Sequence, residues 1–291
     1  MHRPRVAYLA LAFAALLFGS TFVIIKEAIA TLPPLAFVGW RFLLGGAVLA
    51  AIGLPRGRAV WRDGSIAGAL LFAGYALQTV GLAHTSASNS GLITGLYVVL
   101  TPLLAAAVAR RAPGLLVSAG ALLAFAGLAL LTLKDGFSVQ QGDLLTVGCA
   151  VSYAAHIVYL SRVATRHRVV SFTAVQLLVT AAGGLAGSAL FEGLMLPPRA
   201  SWPALLMTGL AVSAGAFLLQ VWAQTVIGPS RTAIILALEP AIAAAVAAIT
   251  LGERLTARGW AGAAMILAGI YVALAGEDEP LPAAEALTPA H

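Results

Sequence analysis

Charged residues are scarce in this sequence: Asp, Glu, Lys and Arg make up only 10% of its 291 residues. A water-soluble domain carries about 25% charged residues, so this chain has too little charge to cover a soluble surface. Hydrophobic residues make up 60% of the chain, and the mean hydropathy is +0.96. The composition therefore excludes an ordinary soluble protein and indicates one that lies in a lipid bilayer.

Further absences narrow the class of protein. The single cysteine, Cys149, excludes an intramolecular disulfide. The sequence has no Gly-x-x-x-x-Gly-Lys-Ser/Thr loop of the kind that binds ATP. Asp63, Asp135 and Asp143 are scattered and stand in no Ser/His pairing, which disfavours an intramembrane enzyme. No His or Cys residues cluster as metal ligands, so we expect neither a metal nor a cofactor.

Long apolar runs recur along the whole chain. A helix needs about 20 apolar residues to cross a hydrocarbon core of about 30 Å, and lipid cannot satisfy the backbone of an open strand. The sequence therefore predicts an all-α polytopic membrane protein with ten transmembrane helices. The predicted spans are residues 6–25, 35–54, 64–83, 90–109, 114–133, 143–163, 172–191, 204–224, 232–251 and 258–275. The first run is retained rather than cleaved, because no convincing signal-peptidase site precedes Lys26.

The basic residues give these spans a direction. Lys and Arg concentrate on the cytoplasmic side of membrane proteins. With the N-terminus inside, the cytoplasmic side receives Arg3, Arg5, Arg56, Arg58, Arg62, Arg110, Arg111, Arg162, Arg166, Arg168 and Arg231. The other side receives Lys26, Lys134, Arg199, Arg254 and Arg258. This bias predicts that both termini are cytoplasmic. It also explains the net charge of +6 without a nucleic-acid partner.

Residues about 135 to 142 positions apart match in kind, which predicts an internal repeat. The matches are Leu17–Ser20 with Ser152–Ala155, Phe37 with Phe172, Gln78 with Gln220, Thr101-Pro102 with Glu239-Pro240, and Gly120, Ala126 and Gly127 with Gly262, Ala268 and Gly269. Chance similarity between Ala/Leu-rich helices is the alternative, but the paired Gln and x-Pro positions exceed what composition alone produces.

The predicted repeats cover residues 1–135 and 142–276, and a disordered cytoplasmic tail covers 277–291. Each repeat holds five helices, and an odd number of spans forces the second repeat into the opposite orientation. Inverted repeats of this kind are typical of secondary transporters.

Several motifs, in order along the chain, resemble the EamA-type proteins of the drug/metabolite transporter superfamily. They are Leu17-Phe18-Gly19-Ser20-Thr21-Phe22-Val23-Ile24-Ile25-Lys26, Arg41-Phe42, Thr85–Ser90 leading to Leu96–Pro102, Leu238-Glu239-Pro240, Leu251-Gly252-Glu253-Arg254-Leu255, and the closing segment from Gly262 to Gly269. Together they span nearly the whole chain. One departure is Arg110-Arg111-Ala112-Pro113, which stands where the family has a Gly-Glu-like turn.

The resemblance implies a bacterial inner-membrane exporter of small organic metabolites, such as amino acids or drug-like compounds, that works by alternating access. A family alone does not identify a substrate. A facilitative channel with the same fold stays open, and an intramembrane enzyme is the least favoured alternative. Small-residue pairs such as Gly91/Gly95 and Gly183/Gly187 let helices pack closely, so the chain is expected to act as a monomer or as a homodimer.

Glu239 is the candidate for chemistry that stands out most, because an intramembrane carboxylate is costly unless it is protonated or paired. It precedes Pro240, which removes one helix hydrogen bond. Glu239 either binds protons or a cationic group of the substrate, or it forms a polar contact at a kink. His156 is the second candidate for proton coupling, with a neutral, hydrogen-bonded histidine as the alternative. Arg41, beside Trp40, is interpreted as reaching the membrane interface rather than binding substrate.

The predicted pore lining combines amides, hydroxyls and aromatic rings from several helices. Gln78 and Gln220 occupy equivalent positions in the two repeats, and buried amides need hydrogen-bond partners. Gln224 lies four residues after Gln220, on the same helix face. The complete set is Tyr75, Gln78, Tyr97, Thr101, Tyr153, His156, Gln220, Trp222, Gln224 and Glu239.

Overall fold

A computed structural model describes residues 3–20, 24–25, 28–82, 84, 87–132, 142–251 and 256–276 of the chain. The regular elements in these ranges are helices, and no strand occurs among them. Lys26 and the predicted tail 277–291 lie outside the described residues. The all-α class predicted from the sequence is thus confirmed.

Turn residues of the sequence begin or end several helices of the first half. They are α1 (Arg3–Ser20), α2 (Pro34–Ile52), α3 (Arg58–Leu82), α4 (Ala87–Thr94), α5 (Tyr97–Ala109) and α6 (Leu115–Thr132). Pro34 occupies the first turn of α2, where its missing N–H costs no helix hydrogen bond. Gly57, with a φ of 95°, turns the chain between α2 and α3. Arg110 adopts the left-handed conformation, with a φ of 51°, and ends α5.

The second half repeats this order with more interruptions. It contains α7 (Asp143–Val163), α8 (Val169–Phe191), α9 (Trp202–Leu206), a π-helix (Met207–Ala216), α10 (Phe217–Gln224), α11 (Pro229–Leu236), α12 (Leu238–Leu251) and α13 (Ala257–Ala275). Short 3-10 turns, Ala164–Arg166 and Arg199–Ser201, lie before α8 and α9. The Thr256 hydroxyl caps α13 by accepting from the Gly259 backbone N–H at 3.2 Å.

Seven helices of the described chain are long and apolar enough to cross a membrane. They are Pro34–Ile52, Arg58–Gly81, Ser90–Ala109, Asp143–Arg166, Val169–Phe191, Arg199–Gln224 and Ala257–Ala275. Pro4–Ser20 and Leu115–Leu131 are shorter apolar helices. The chain is therefore built as a multi-pass membrane protein. The count of ten spans stays a prediction.

The sequence predicts continuous helices over 90–109 and 232–251, and the structure interrupts both. The break between α4 and α5 lies at Gly95, where an added Cβ would sit 1.9 Å from Leu128 Cδ2. The break between α11 and α12 lies at Ala237, three residues before Pro240. A proline ring opposes the carbonyl four residues earlier, which here belongs to Leu236, the last residue of α11.

Glycine contacts join α6 to α13, the last helix of each half. A Cβ at Gly120 would lie 2.5 Å from the Gly269 carbonyl oxygen, and one at Gly127 would lie 2.6 Å from that of Gly262. Such distances require backbone to touch backbone, which only glycine allows. Residue numbers rise along one helix as they fall along the other, so the two helices are antiparallel.

The second helix of each half makes the same kind of crossing. Along α2, Gly39, Gly46 and Gly53 face Leu185, Leu178 and Val170 of α8 in turn. An added Cβ would come within 2.8 to 3.0 Å of those side chains. These two helices are also antiparallel. Corresponding helices of the two halves thus run in opposite directions at both crossings.

Polar contacts fix the two ends of α8. Just before α8, His167 Nε2 lies 2.8 Å from Asp63 Oδ2 in α3, and the His167 ring stacks on Phe172. At the other end, the Glu192 carboxylate accepts backbone N–H groups of Leu35 (3.0 Å) and Ala36 (3.1 Å), in the first turn of α2. A carboxylate is favourable at a helix N-terminus because it accepts otherwise unpaired donors. Both ends of α8 are therefore held by carboxylates.

Candidate functional site

Tyr75, Gln78 and Tyr153 meet between α3 and α7. The rings of Tyr75 and Tyr153 lie 5.7 Å apart, edge to face. The Tyr153 hydroxyl donates to Gln78 Oε1 at 3.4 Å, and Gln78 Nε2 donates to the Thr94 hydroxyl at 3.2 Å. Gly74 makes room for the Tyr153 ring, since an added Cβ there would lie 2.3 Å from Tyr153 Cε1. Three of the predicted pore-lining residues thus form one contact group.

Glu239 lies at the start of α12, next to α1. The α12 backbone comes close to α1, because a Cβ at Gly19 would lie 2.6 Å from the Glu239 carbonyl oxygen. The Glu239 charge acts on Tyr75, Tyr97 and Tyr153. All four side chains are partly exposed.

The structure contradicts the interpretation of Arg41 as an interfacial residue, because its side chain does not reach the membrane interface. It is only 2% exposed. Its guanidinium carbon lies 4.9 Å from the ring centroid of Phe42, 5.4 Å from that of Tyr75 and 5.9 Å from that of Phe37. The aromatic faces attract the cation and draw it inward. Arg41 therefore lies in the protein interior. It contacts Tyr75, which is also a member of the group around Gln78.

The π-helix supplies one hydrogen-bond acceptor for Arg41. Arg41 Nε donates to the Ser213 hydroxyl at 3.2 Å. The two segments approach closely because a Cβ at Gly45 would lie 2.7 Å from the Gly209 carbonyl oxygen. π-Helical turns are rare and often occur at functional sites. The wide turn therefore brings Ser213 to Arg41.

Arg41 and Glu239 act on one another electrostatically. No ion pair joins them, and the described residues give neither of them a partner of opposite charge at ion-pair distance. In the interior this attraction is stronger than in water because the dielectric constant is lower.

The structure places His156 outside this group. His156 is 2% exposed, and its Nε2 lies 3.0 Å from Gln176 Oε1 in α8. Its ring stands edge-on to Phe217 at 6.4 Å. Gln176 is missing from the sequence prediction, although the offset of 135 that links Phe37 to Phe172 also links Arg41 to Gln176. That offset is the signal that could have found it.

The predicted amides of α10 bind to protein rather than lining open space. Gln224 Nε2 donates to the Ile157 carbonyl oxygen and to the Ser161 hydroxyl, each at 2.7 Å. Gln224 Oε1 in turn accepts from Gln220 Nε2 at 3.3 Å. Both side chains are buried. They join α10 to α7.

The remaining predicted residues lie around these two groups. The Thr101 hydroxyl is buried and donates to the Tyr97 carbonyl oxygen at 2.7 Å, next to Pro102 in α5. The Trp222 ring packs beside Ala223 and Ile227 in an apolar cluster with α1. Neither side chain contacts the group around Gln78. Among the described residues, no three His, Cys, Asp or Glu side chains gather as a metal site.

Comparison with known proteins identifies the family of this chain. The model of the EamA-like transporter family matches residues 5–133 and again residues 140–275. Two matches in tandem cover most of the chain. The resemblance predicted from the sequence motifs is therefore confirmed.

Individual relatives agree with this match. An uncharacterized transporter of Archaeoglobus fulgidus is 32% identical over 272 residues, which cover 91% of this chain and 85% of that protein. The uncharacterized transporter YvbV of Bacillus subtilis is 30% identical over 187 residues, 61% of this chain and 60% of that protein. A crystal structure with 25% sequence identity covers 92% of this chain and 96% of its own, with a TM-score of 0.79. The chain belongs to the EamA-like transporter family.

Proposed function

We propose that this protein is a secondary carrier that exports small organic metabolites across the bacterial inner membrane by alternating access. In this proposal the chain crosses the membrane ten times, as five helices in residues 1–135 and five inverted helices in 142–276. Both termini, including the tail 277–291, lie in the cytoplasm. The family match supports transport of a small molecule. Export is part of the proposal and is supported by the resemblance of the sequence motifs to exporters.

The antiparallel glycine crossings are the observation that carries this proposal. Gly120 contacts Gly269, and Gly127 contacts Gly262. Gly120 aligns with Gly262, and Gly127 with Gly269, so exchanging the two halves reproduces the same two contacts. A pair of this kind is expected of two halves related by a two-fold axis in the membrane plane.

That relation supports an alternating-access mechanism. When two halves are equivalent but inverted, exchanging their conformations converts an inward-open shape into an outward-open one. The loop contacts fit this topology: Asp63 and His167 both fall on the proposed cytoplasmic side, and Glu192 and Leu35 both fall on the other. The interruptions before Pro102 and Pro240 resemble the discontinuous helices of carriers near the midplane.

Within this proposal, Glu239 is the proton-coupling residue, because its side chain is partly exposed and forms no ion pair within the described residues. His156 is the second candidate, although its burial against Gln176 favours a role in joining α7 to α8. An intramembrane carboxylate that alternates between proton and cation binding couples the two by mutual exclusion. Neutralising Glu239 and His156 together is then expected to abolish dependence of transport on a pH gradient.

Solute counterflow in proteoliposomes tests the carrier directly. Vesicles loaded with unlabelled solute should transiently accumulate the same labelled solute, because a carrier exchanges solutes across the membrane, whereas an open channel only equilibrates them. Labelled amino acids and related metabolites form the first panel. Accumulation only up to equilibrium, with no stimulation by solute on the opposite side, would indicate a channel and contradict the proposal.

A further inference from the structure

Two turns of the chain meet on the proposed cytoplasmic side. A Cβ at Gly53, directly after α2, would lie 2.8 Å from Val170 Cγ1 in the first turn of α8. At the start of α3, Asp63 Oδ2 lies 2.8 Å from Nε2 of His167, which stands just before α8. The turn between α2 and α3 and the turn between α7 and α8 are therefore neighbours in space.

Arginines are concentrated at this junction. Each of them lies within five residues of Gly53, Asp63 or His167 along the chain. The set is Arg56, Arg58, Arg62, Arg162, Arg166 and Arg168, and all but Arg162 are exposed. Of the acidic residues that the structure describes, only Asp63 lies here. The junction therefore carries a large surplus of positive charge.

The buried carboxylate of Asp63 orients one of these arginines. Arg62 Nε donates to Asp63 Oδ1 at 2.8 Å, and the Tyr159 hydroxyl donates to the same oxygen at 3.5 Å. The Arg62 side chain is nevertheless 63% exposed, and no described residue accepts a hydrogen bond from its Nη1 or Nη2. Arg62 thus presents its terminal N–H donors to the surface from a guanidinium that is held at Nε.

The ligand class follows from those donors and from the surface beside them. Paired guanidinium donors match an oxyanion such as a phosphate, which accepts two parallel hydrogen bonds. Arg58, Arg62 and Ile66 are four residues apart and share one face of α3. Ile66 is 44% exposed and Trp61 is 45% exposed. The surface is thus charged at the helix end and apolar one turn further along, which is the order of a phospholipid.

We propose that the junction of these two turns binds an anionic phospholipid of the cytoplasmic leaflet, whose phosphate lies on Arg62 and whose acyl chains run beside Trp61 and Ile66. Arg166 adds charge from the second half, because it acts electrostatically on Tyr159 next to Asp63. The lipid therefore bridges the two halves. The site depends neither on the transported solute nor on the direction of transport, and a channel with this fold would have it too.

Membrane topology alone does not account for this arrangement. A bias of basic residues toward the cytoplasm requires positive charge in the turns, but it does not require Arg62 to be held by a buried carboxylate. The corresponding turn of the second half, residues 192–198, contains no basic residue. Packing of the repeat thus tolerates a turn without arginines, which favours a binding role for the cluster.

Native mass spectrometry of the purified, delipidated full-length protein tests the site. The probes are phosphatidylglycerol, phosphatidylcholine with the same acyl chains, and glycerol 3-phosphate as a soluble phosphate. We expect phosphatidylglycerol to bind about tenfold or more tightly than phosphatidylcholine, whose choline cation opposes the arginines. Glycerol 3-phosphate should not displace the lipid at equal concentration. Displacement would show that the arginines bind a soluble phosphate and would overturn the lipid.

Matched variants assign the phosphate to Arg62. Arg62→Gln should weaken binding of phosphatidylglycerol about tenfold, since it removes charge-assisted hydrogen bonds. Arg62→Lys should fall between the two, because it keeps the charge without the fork. Arg166→Gln should cause a smaller loss than Arg62→Gln. Arg111→Gln makes the same charge change at an exposed position between α5 and α6, and it should weaken binding less than about twofold.

Thermal unfolding without added lipid verifies that each variant is folded. Equal losses for Arg62→Gln and Arg111→Gln would mean that net charge alone attracts the lipid, and the proposal would be wrong. It would also be wrong if phosphatidylglycerol bound no better than phosphatidylcholine. Counterflow measures the carrier separately, since a protein without this lipid site can still show exchange stimulated from the opposite side.

Discussion

The two halves of the chain place similar backbones around different side chains. In the first half, Arg41 lies among Phe37, Phe42 and Tyr75, and the third helix, α3, is α-helical throughout. In the second half, Gln176 replaces the arginine, and the corresponding third helix contains the π-helix Met207–Ala216. The glycine crossings are shared, whereas the charges are not. The repeat therefore provides a symmetric frame, and side-chain differences make the site asymmetric.

This difference separates helix contacts that both halves share from side chains that only one half carries. The proposed exchange of conformations between the halves requires equivalent helix contacts, and the glycines at the crossing of α6 and α13 form such contacts. Unlike residues at equivalent positions make the two halves differ in charge. Glu239 and Thr101, each followed by proline, illustrate this, because the first carries a charge while the second bonds to its own helix.

The largest expected loss of stability comes from disrupting the symmetric glycine contacts between α6 and α13. Gly120→Val and Gly262→Val each place a side chain where backbone now meets backbone across the crossing. We expect each to destabilise the protein by about 3 kcal/mol, because overpacking at a backbone contact forces the helices apart. Thermal unfolding in detergent measures both.

Equal losses of stability at Gly120 and Gly262 would support the equivalence of the two halves, since the two positions correspond in the repeat. Gly193→Ala is a different case: its φ of 70° strains an alanine, but no atom lies within 4 Å of the added Cβ. It should cost only about 1 kcal/mol. A large loss at one crossing glycine and none at the other would show that the frame is not symmetric.

A smaller effect is expected at Asp63, which has no polar counterpart. The offset of 142 that links Gln78 to Gln220 links Asp63 to Leu205, a fully buried residue. Asp63 is 2% exposed, and it accepts from Arg62 Nε at 2.8 Å while its other oxygen lies 2.8 Å from His167 Nε2. Asp63→Asn should cost about 2 kcal/mol, because it weakens hydrogen bonds to charged or polarised donors.

Arg62 provides the control for Asp63, since its side chain is mostly exposed. Arg62→Gln removes the same ion pair from its solvent side and should have an effect much smaller than that of Asp63→Asn. Equal effects from the two variants, measured by thermal unfolding, would mean that the contact with His167 contributes nothing.

The smallest effect is expected at Glu192, at the opposite end of α8. Its two oxygens accept the backbone N–H groups of Leu35 and Ala36. Glu192→Gln keeps one acceptor oxygen and loses the charge that favours the helix N-terminus, so we expect a loss of about 1 kcal/mol. Glu192→Ala should cost more, and a loss for Gln as large as for Ala would contradict a role for the remaining oxygen.

The positions of the helices and their correspondence between the two halves were predictable from the sequence. The hydrogen-bond partners of individual side chains were not. Apolar run length and turn residues such as Pro34 place the helices, because crossing lipid imposes a minimum length. The aligned glycines at 120, 127, 262 and 269 indicate which helices correspond. These properties are local or periodic, so a single sequence carries them.

Contacts between helices that are distant in sequence determine which partners the side chains bind. Arg41 was interpreted as interfacial because of its position beside Trp40, but rotation of α2 and the π-helix opposite turn it inward to Ser213. Gln224 was assigned to a pore lining, but it is bonded to Ile157 and Ser161. Helix rotation and register depend on packing across the whole bundle, and hydropathy does not encode them.

The central claim, reciprocal opening of the two sides, can be tested by measuring distances across each side at once. On a Cys149→Ala background, one spin-label pair at Arg56 and Arg111 reports the proposed cytoplasmic side, and another at Leu194 and Thr256 reports the other side; all four positions are exposed. Distances between the labels are measured by double electron–electron resonance, with and without a solute that shows counterflow. Addition of the solute should change the distances of the two pairs in opposite directions. Distances that stay unchanged, or that widen together on both sides, would contradict alternating access.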